Sequence, residues 1–255
     1  MNVAIFDSGV KLAEAAAGEA ARIIRQALED RGQAFLIAAT GASQFQFLDA
    51  LTQHPDIDWA RTTFFHLDEY VGLPDTHRAS FRRYLRERIV DRVHPGAFNF
   101  INGDNPDPQE ECHRVGELIS CQTVDAAFVG IGENGHLAFN DPPADFDTHE
   151  PYLVVNLDEA CRRQQVGEGW FDSLDQVPRQ AISMSVQQIL KASHVLCVAP
   201  DRRKAQAVRD CLESEVSPFH PASILQQHPR TTVFLDMESA RLLKSSGRAA
   251  ESSWI

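Results

Sequence analysis

The sequence predicts an α/β domain built on parallel strands and crossover helices, and three observations lead there. Helix-period and strand-period segments alternate from one end of the chain to the other, the pattern of repeated βα units. At 255 residues with 43% apolar side chains, the chain is long enough to enclose one sizeable core. No internal repeat or low-complexity linker interrupts it, and Pro142-Pro143 and Asn105-Pro106-Asp107-Pro108 read as loops inside a single domain spanning 1–255.

The elements follow in order. Val10 to Arg31 is rich in Ala, Glu and Arg with apolar residues at helical spacing, so it reads as a helix. Phe35 to Ala39 is a short apolar run, hence a strand, and Ser43 to Leu51 a helix. Thr62 to Leu67 reads as a strand, Ser80 to Val90 as a helix with an Arg-rich face, and Pro106 to Ile119 as a further helix. Val124 to Val129 is a buried strand and Tyr152 to Asn156 another. Ser183 to Leu190 is assigned as helix, Val195 to Val198 as strand, Arg202 to Leu212 as helix, Thr232 to Leu235 as the last strand, and Ser239 to Leu243 as helical. The polar tail, 245–255, is expected to fray.

Composition removes several classes of function. Acidic residues outnumber basic ones 36 to 24, a net charge of −12. A general binder of nucleic acid or of anionic membranes needs the opposite sign. A phosphorylated ligand needs a local basic spot instead. The five cysteines, at 112, 121, 161, 197 and 211, show no CxxC spacing, which argues against a disulfide framework or zinc ribbon. The N-terminal residues lack a basic segment followed by an apolar one, and no apolar stretch is long enough to span a bilayer, so a cytoplasmic protein is expected.

In open parallel sheets ligands bind beyond the carboxyl ends of the strands, so four strand ends are informative. Ala39-Thr40-Gly41-Ala42-Ser43 has small residues that let a ligand approach the backbone, a glycine free to take positive φ, and a serine able to cap the next helix. This suits an anion, though a plain strand-to-helix turn uses the same residues. Phe65-His66-Leu67-Asp68-Glu69-Tyr70 places two adjacent carboxylates at a sheet mouth. Burying both is costly unless one must take a proton from carbon; a solvated acidic loop is the alternative. A metal reading of His66, Asp68 and Glu69 is weaker, because only His66 and Asp68 can share a strand face.

The third end, Gly130-Ile131-Gly132-Glu133-Asn134-Gly135-His136-Leu137-Ala138-Phe139-Asn140-Asp141, contains GxGxxG after a strand. Pro142 and Pro143 follow too soon for the helix that a dinucleotide fold requires, and no acid-ended strand lies about 20 residues on. A glycine-lined loop delivering His136 and Asp141 to a pocket fits better, since a histidine beside a carboxylate can shuttle protons. The fourth, Ala199-Pro200-Asp201-Arg202-Arg203-Lys204, opens a helix with basic residues against the helix dipole, which a bound anion at Lys204 would relieve.

Together ATGAS, FFHLDEYVGL, SFRRYL, VGIGENGHLAFNDP, VAPDRRKAQAV and ILQQHP resemble the glucosamine-6-phosphate deaminase (isomerase) family, whose fold is shared with 6-phosphogluconolactonases. The resemblance covers roughly Val10 to Leu243. It implies a single domain of modified Rossmann type, no metal and no cofactor, and a small-molecule sugar phosphate as partner. A monomer and a homo-oligomer are both compatible with it.

By that resemblance, Asp68 moves a proton between C2 and C1 of the open-chain amino sugar. His136 opens the pyranose ring, and Asp141, where the family usually has Glu, tunes that histidine. Asn134 stands where some members have Asp. Thr40, Gly41, Ala42 and Ser43 match the phosphate loop, Lys204 matches the phosphate-binding lysine, and Gly135 belongs to the substrate-binding set. No arginine immediately precedes the aromatic pair at Trp170-Phe171; Arg162 and Arg163 are the alternatives nearby, and the resemblance assigns no specific arginine to the phosphate. The stretch from Pro143 to Leu153 has His149 as its sole basic residue, which implies no activation by an N-acetylated sugar phosphate.

The nearest rival is a lactonase on the same fold, but lactonases resemble DER and GHTASLFP where this chain has DEY and GHLAFNDP. Galactosamine 6-phosphate, differing at C4, is a second substrate alternative. A non-catalytic sugar-phosphate sensor is a third reading; the intact Asp68 and His136 favour catalysis.

Overall fold

The computed structural model describes residues 1–244; the expected fraying of 245–255 lies outside the described residues. From the N-terminus come β1 (Asn2–Phe6), α1 (Gly9–Arg31), β2 (Ala34–Ala38), α2 (Phe45–Thr52), β3 (Thr62–His66) and β4 (Asp68–Tyr70). Then α3 (Phe81–Leu85) runs through a π-helical turn (Arg86–Val90) into α4 (Asp91–Val93), followed by β5 (Ala97–Asn99), α5 (Pro108–Ser120), β6 (Ala126–Val129) and β7 (Tyr152–Asn156). The remainder is α6 (Glu159–Gly167), β8 (Gln180–Met184), α7 (Val186–Leu190), β9 (His194–Val198), α8 (Ala205–Glu213) and β10 (Thr231–Asp236).

Seven strands form one sheet in the order β1-β10-β9-β6-β2-β3-β5, every neighbouring pair parallel. The central strand β2 shows why. All five of its residues are buried, so it must be covered on both faces. Its side chains alternate: Leu36 and Ala38 join the core beneath α1 and α2, while Phe35 and Ile37 join the core packed by α5, α7 and α8. Ser8 caps α1 by accepting from Lys11 N, and Gly32, at φ 74°, ends it.

The chain runs from β2 outward to β3 and β5, whereas β6, β9 and β10 lie on the other side of β2. The β2–β6 boundary is therefore a topological switch point, where such sheets open a crevice.

Several expectations need correction. β7 does not join the parallel sheet; β4, β8 and β7 form a separate three-stranded antiparallel sheet. Ser183 and Met184 end β8 rather than opening a helix, and Ser185 caps α7 by accepting from Gln188 N. Two prolines misplaced the start of α5: Asp107 is its cap, and Pro108, which needs no intrahelical donor, opens it. Residues 239–243 form turns instead of a helix, where the Ser239 and Asp236 side chains satisfy each other's backbone N–H groups. The sequence reading missed β1, β4, β5 and α6.

Candidate active site

One cleft opens over the switch point, and strand ends from both sides supply it. Thr40, Gly41, Ala42 and Ser43 arrive from β2, Asp68 from just beyond β3, His136 from the loop after β6, and Lys204 from the turn after β9. Among the described residues no helix is long and apolar enough to cross a membrane.

The β2 turn is shaped by Gly41, whose φ of 96° disfavours any side chain, and Tyr84 holds it by donating to the Gly41 carbonyl at 3.0 Å. Ser43 does not cap a helix as its position suggests. It lies inside a 3-10 turn, Ala42–Gln44, and accepts from Gln44 Nε2. The hydroxyl of Thr40 donates to Asp68 Oδ1 at 3.4 Å.

Strand alternation separates the two adjacent carboxylates. Asp68 lines the cleft, whereas Glu69 turns the other way and caps α3, accepting from Ser80 Oγ and from the backbone N–H of Tyr70, Phe81 and Arg82 at 2.8–3.1 Å. Burial, followed by the charge of Glu69, pushes the Asp68 pKa up to about 8. Burial raises Glu69 as well, to about 6, against those hydrogen bonds. His66 does not share the cleft with Asp68. It is fully buried, accepts from Ile101 N, and is driven down to about 3 by burial and by Arg82.

His136 is 9% exposed, and its Nδ1 lies 3.3 Å from Asp141 Oδ1. The carboxylate is itself held: Asn134 Nδ2 donates to Oδ1 at 3.0 Å and Asp158 N to Oδ2 at 2.9 Å. Burial raises the Asp141 pKa, but the neighbouring imidazole and these donors outweigh it, leaving the group below the usual carboxylate range. Asn134 orients the histidine through the main chain, its Oδ1 accepting from His136 N at 3.0 Å, and not through a ring N–H. Gly132 is needed because a Cβ there would stand 2.3 Å from the His136 ring.

Beyond His136 the loop runs through turns to the cis Pro142-Pro143 peptide, so the glycines open no dinucleotide-type helix. Gly135 does not line the cleft; its carbonyl accepts from Ala222 N behind the loop. Glu133 reaches away from His136 and sits 3.5 Å from Arg203.

Lys204 is 4% exposed, and among the described residues no protein group pairs with its ammonium, whose pKa burial lowers although Glu168 and Glu133 oppose this. Neither alternative arginine reaches the cleft. Arg162 donates to the carbonyls of Leu174 and Val177, and Arg163 pairs with Glu159 on the surface. The side chains that the sequence reading missed come chiefly from α6: Gln164, Gln165 and, at its C-terminal cap, Glu168. One group of atoms has the spacing of metal ligands, since His136, Asp141 and Cys161 lie within 4.8 Å of one another. Burial and the nearby Asp141 and Asp158 hold the Cys161 thiol well above its ordinary range, which favours the neutral thiol over a thiolate ligand.

The fold and cleft define a class: a doubly wound α/β protein carrying a buried carboxylate, a histidine–carboxylate pair, a glycine turn and a buried lysine at its switch point. The family model described as glucosamine-6-phosphate isomerases/6-phosphogluconolactonase matches residues 7–234, and the chain belongs to that family. Among its relatives, a glucosamine-6-phosphate deaminase of Bacillus cytotoxicus is 35% identical over 95% of this chain and 89% of its own. Another, of Oenococcus oeni, is 36% identical over 87% and 92%. The solved structure of a monomeric glucosamine-6-phosphate deaminase superposes with a TM-score of 0.87 at 31% identity, covering 95% of this chain and all of that one. A 6-phosphogluconolactonase of Shewanella baltica, at 20% identity, TM-score 0.76 and 92% and 97% coverage, shares the fold.

Proposed function

We propose that the chain is a glucosamine-6-phosphate deaminase, converting glucosamine 6-phosphate and water to fructose 6-phosphate and ammonia. Relatives of that name at 35% and 36% identity, matched over most of both chains, support the activity. The observation that carries the mechanism is that Asp68, His136, the β2 turn and Lys204 line one cleft.

In this reading the β2 turn and Lys204 grip the phosphate, and that binding energy positions the far end of the sugar. His136, backed by Asp141, delivers a proton to the ring oxygen as the C1 hydroxyl loses one, giving the open-chain aldehyde. Asp68 takes the proton from C2; the electrons form a C1–C2 enolamine, and the C1 oxygen takes back from the His136 imidazolium the proton that the C1 hydroxyl gave it. Asp68 returns the proton to C1, leaving an iminium at C2. Water adds there, His136 accepts the proton that the water loses, and ammonia departs. The substrate's own carbonyl and amine stabilise the carbanionic stage, so the sequence of steps calls on no cofactor. Low water access at Asp68 keeps the abstracted proton from exchanging before it is returned.

Ammonia release measured beside 6-phosphogluconolactone hydrolysis tests the activity, and deaminase turnover is the expected result. Asp68→Asn is expected to lower kcat by at least about 10³-fold while sugar-phosphate binding, followed by calorimetry, changes little. Near-normal turnover in that variant would remove Asp68 from the reaction.

A further inference from the structure

α6 runs along the cleft from the reacting end to the anion-binding end. Cys161 lies beside the His136–Asp141 pair, and Glu168 lines the cleft together with Lys204. Between them sits Gln165. The three are spaced i, i+4 and i+7, so they share one helix face, and seven residues of helix rise about 10 Å.

Gln165 is 5% exposed and lines the cleft, yet among the described residues its carboxamide makes no hydrogen bond to protein. Its neighbour is quite different: Gln164 accepts from Glu133 N at 3.0 Å and donates to Glu168 at 2.8 Å. The other polar groups along this wall are also committed, Glu168 to Gln164 and to Trp170 Nε1, and Asp141 to His136 and Asn134. This amide borders the cleft with no protein partner to satisfy, so it is available to hydrogen-bond a ligand there.

We propose that Gln165 reads the C4 hydroxyl of the bound sugar and thereby sets the preference for the gluco over the galacto epimer. The inference rests on the deaminase reading. With C2 at Asp68 and the phosphate at Lys204, the atoms opposite the middle of α6 are those of mid-chain. A hydroxyl both donates and accepts, as a carboxamide does, whereas a phosphate mainly accepts. A site built to hydrogen-bond a hydroxyl discriminates against substrates that lack or misplace it.

The test is kcat/KM for ammonia release from glucosamine 6-phosphate, its 4-deoxy analogue and galactosamine 6-phosphate, in wild type and Gln165→Ala. The variant is expected to lose about 5–30-fold on glucosamine 6-phosphate and less than about twofold on the 4-deoxy analogue, with the gluco/galacto ratio falling toward one. Equal losses on parent and 4-deoxy substrates would assign Gln165 a packing role and overturn the proposal, as would no loss on either. If wild type releases ammonia from none of the three, the deaminase reading fails by itself. The inference is then read from calorimetric binding of fructose 6-phosphate and its 4-deoxy analogue, where Gln165→Ala must weaken the first alone.

Discussion

A carboxylate that takes a proton from carbon acts only when ionised. Asp68 is held up to about 8 by burial and by Glu69, so in the free enzyme it is largely protonated below that pH. The expected kcat/KM profile therefore climbs about tenfold per pH unit on its acid side and levels near pH 8. A limb ending near pH 4 would mean that Asp68 is solvated or is not the base. The sequence made this residue legible because DEY puts two acids on opposite faces of a strand, so one can face a cleft while its neighbour caps a helix. His136 and Asp141 were legible through the glycines around them. Gln165 and Glu168 were not, because α6 faces a polar cleft: Cys161 and Gln165 are its buried residues, and they leave no apolar stripe to mark a helix.

At the scale of elements, the cleft depends on short segments held by single side chains. Glu69 ties β4 to the start of α3 through three donors, Ser80 Oγ and the N–H groups of Phe81 and Arg82. Glu69→Gln keeps the shape but replaces an acceptor by a donor facing N–H groups, so a loss of about 1–3 kcal/mol is expected, seen as a Tm lower by about 3–10 °C. An unchanged Tm would show that the cap contributes nothing. In the His136 loop, Gly132→Ala must displace the imidazole, since the new methyl would stand 2.3 Å from the ring. A kcat lower by about 100-fold with sugar-phosphate affinity kept is expected, and wild-type kcat would contradict the packing described. Elements with long apolar periods, such as α1, were readable. β5, with three residues, was too short to show a period, and β1 lies at a half-exposed sheet edge. The direction of β7 was unreadable locally because its antiparallel partner β8 lies more than 20 residues further along.

For the whole molecule, the strand order places the cleft where chain direction diverges from β2, and it gathers groups from 40 to 204 into one volume. That convergence could be anticipated from alternation alone, because parallel strands put their following loops at one edge. The separate antiparallel sheet could not, since it arises from pairing between distant segments. The net charge of −12 gives Lys204 particular weight as a cation within the cleft. The 143–153 segment offers His149 alone as a basic group to a second sugar phosphate. Adding N-acetylglucosamine 6-phosphate is therefore expected to leave the substrate saturation curve in place, and a several-fold shift or steepening would contradict this.

If Asp68 carries a proton from C2 to C1 inside a sheltered cleft, a label placed on C2 must travel with it. The substrate for this experiment is glucosamine 6-phosphate deuterated at C2, with the label followed into fructose 6-phosphate by NMR. Wild type is expected to deposit part of the deuterium at C1, and Asp68→Asn to bind the sugar without moving the label. Label reaching C1 at the wild-type rate in Asp68→Asn would contradict the account.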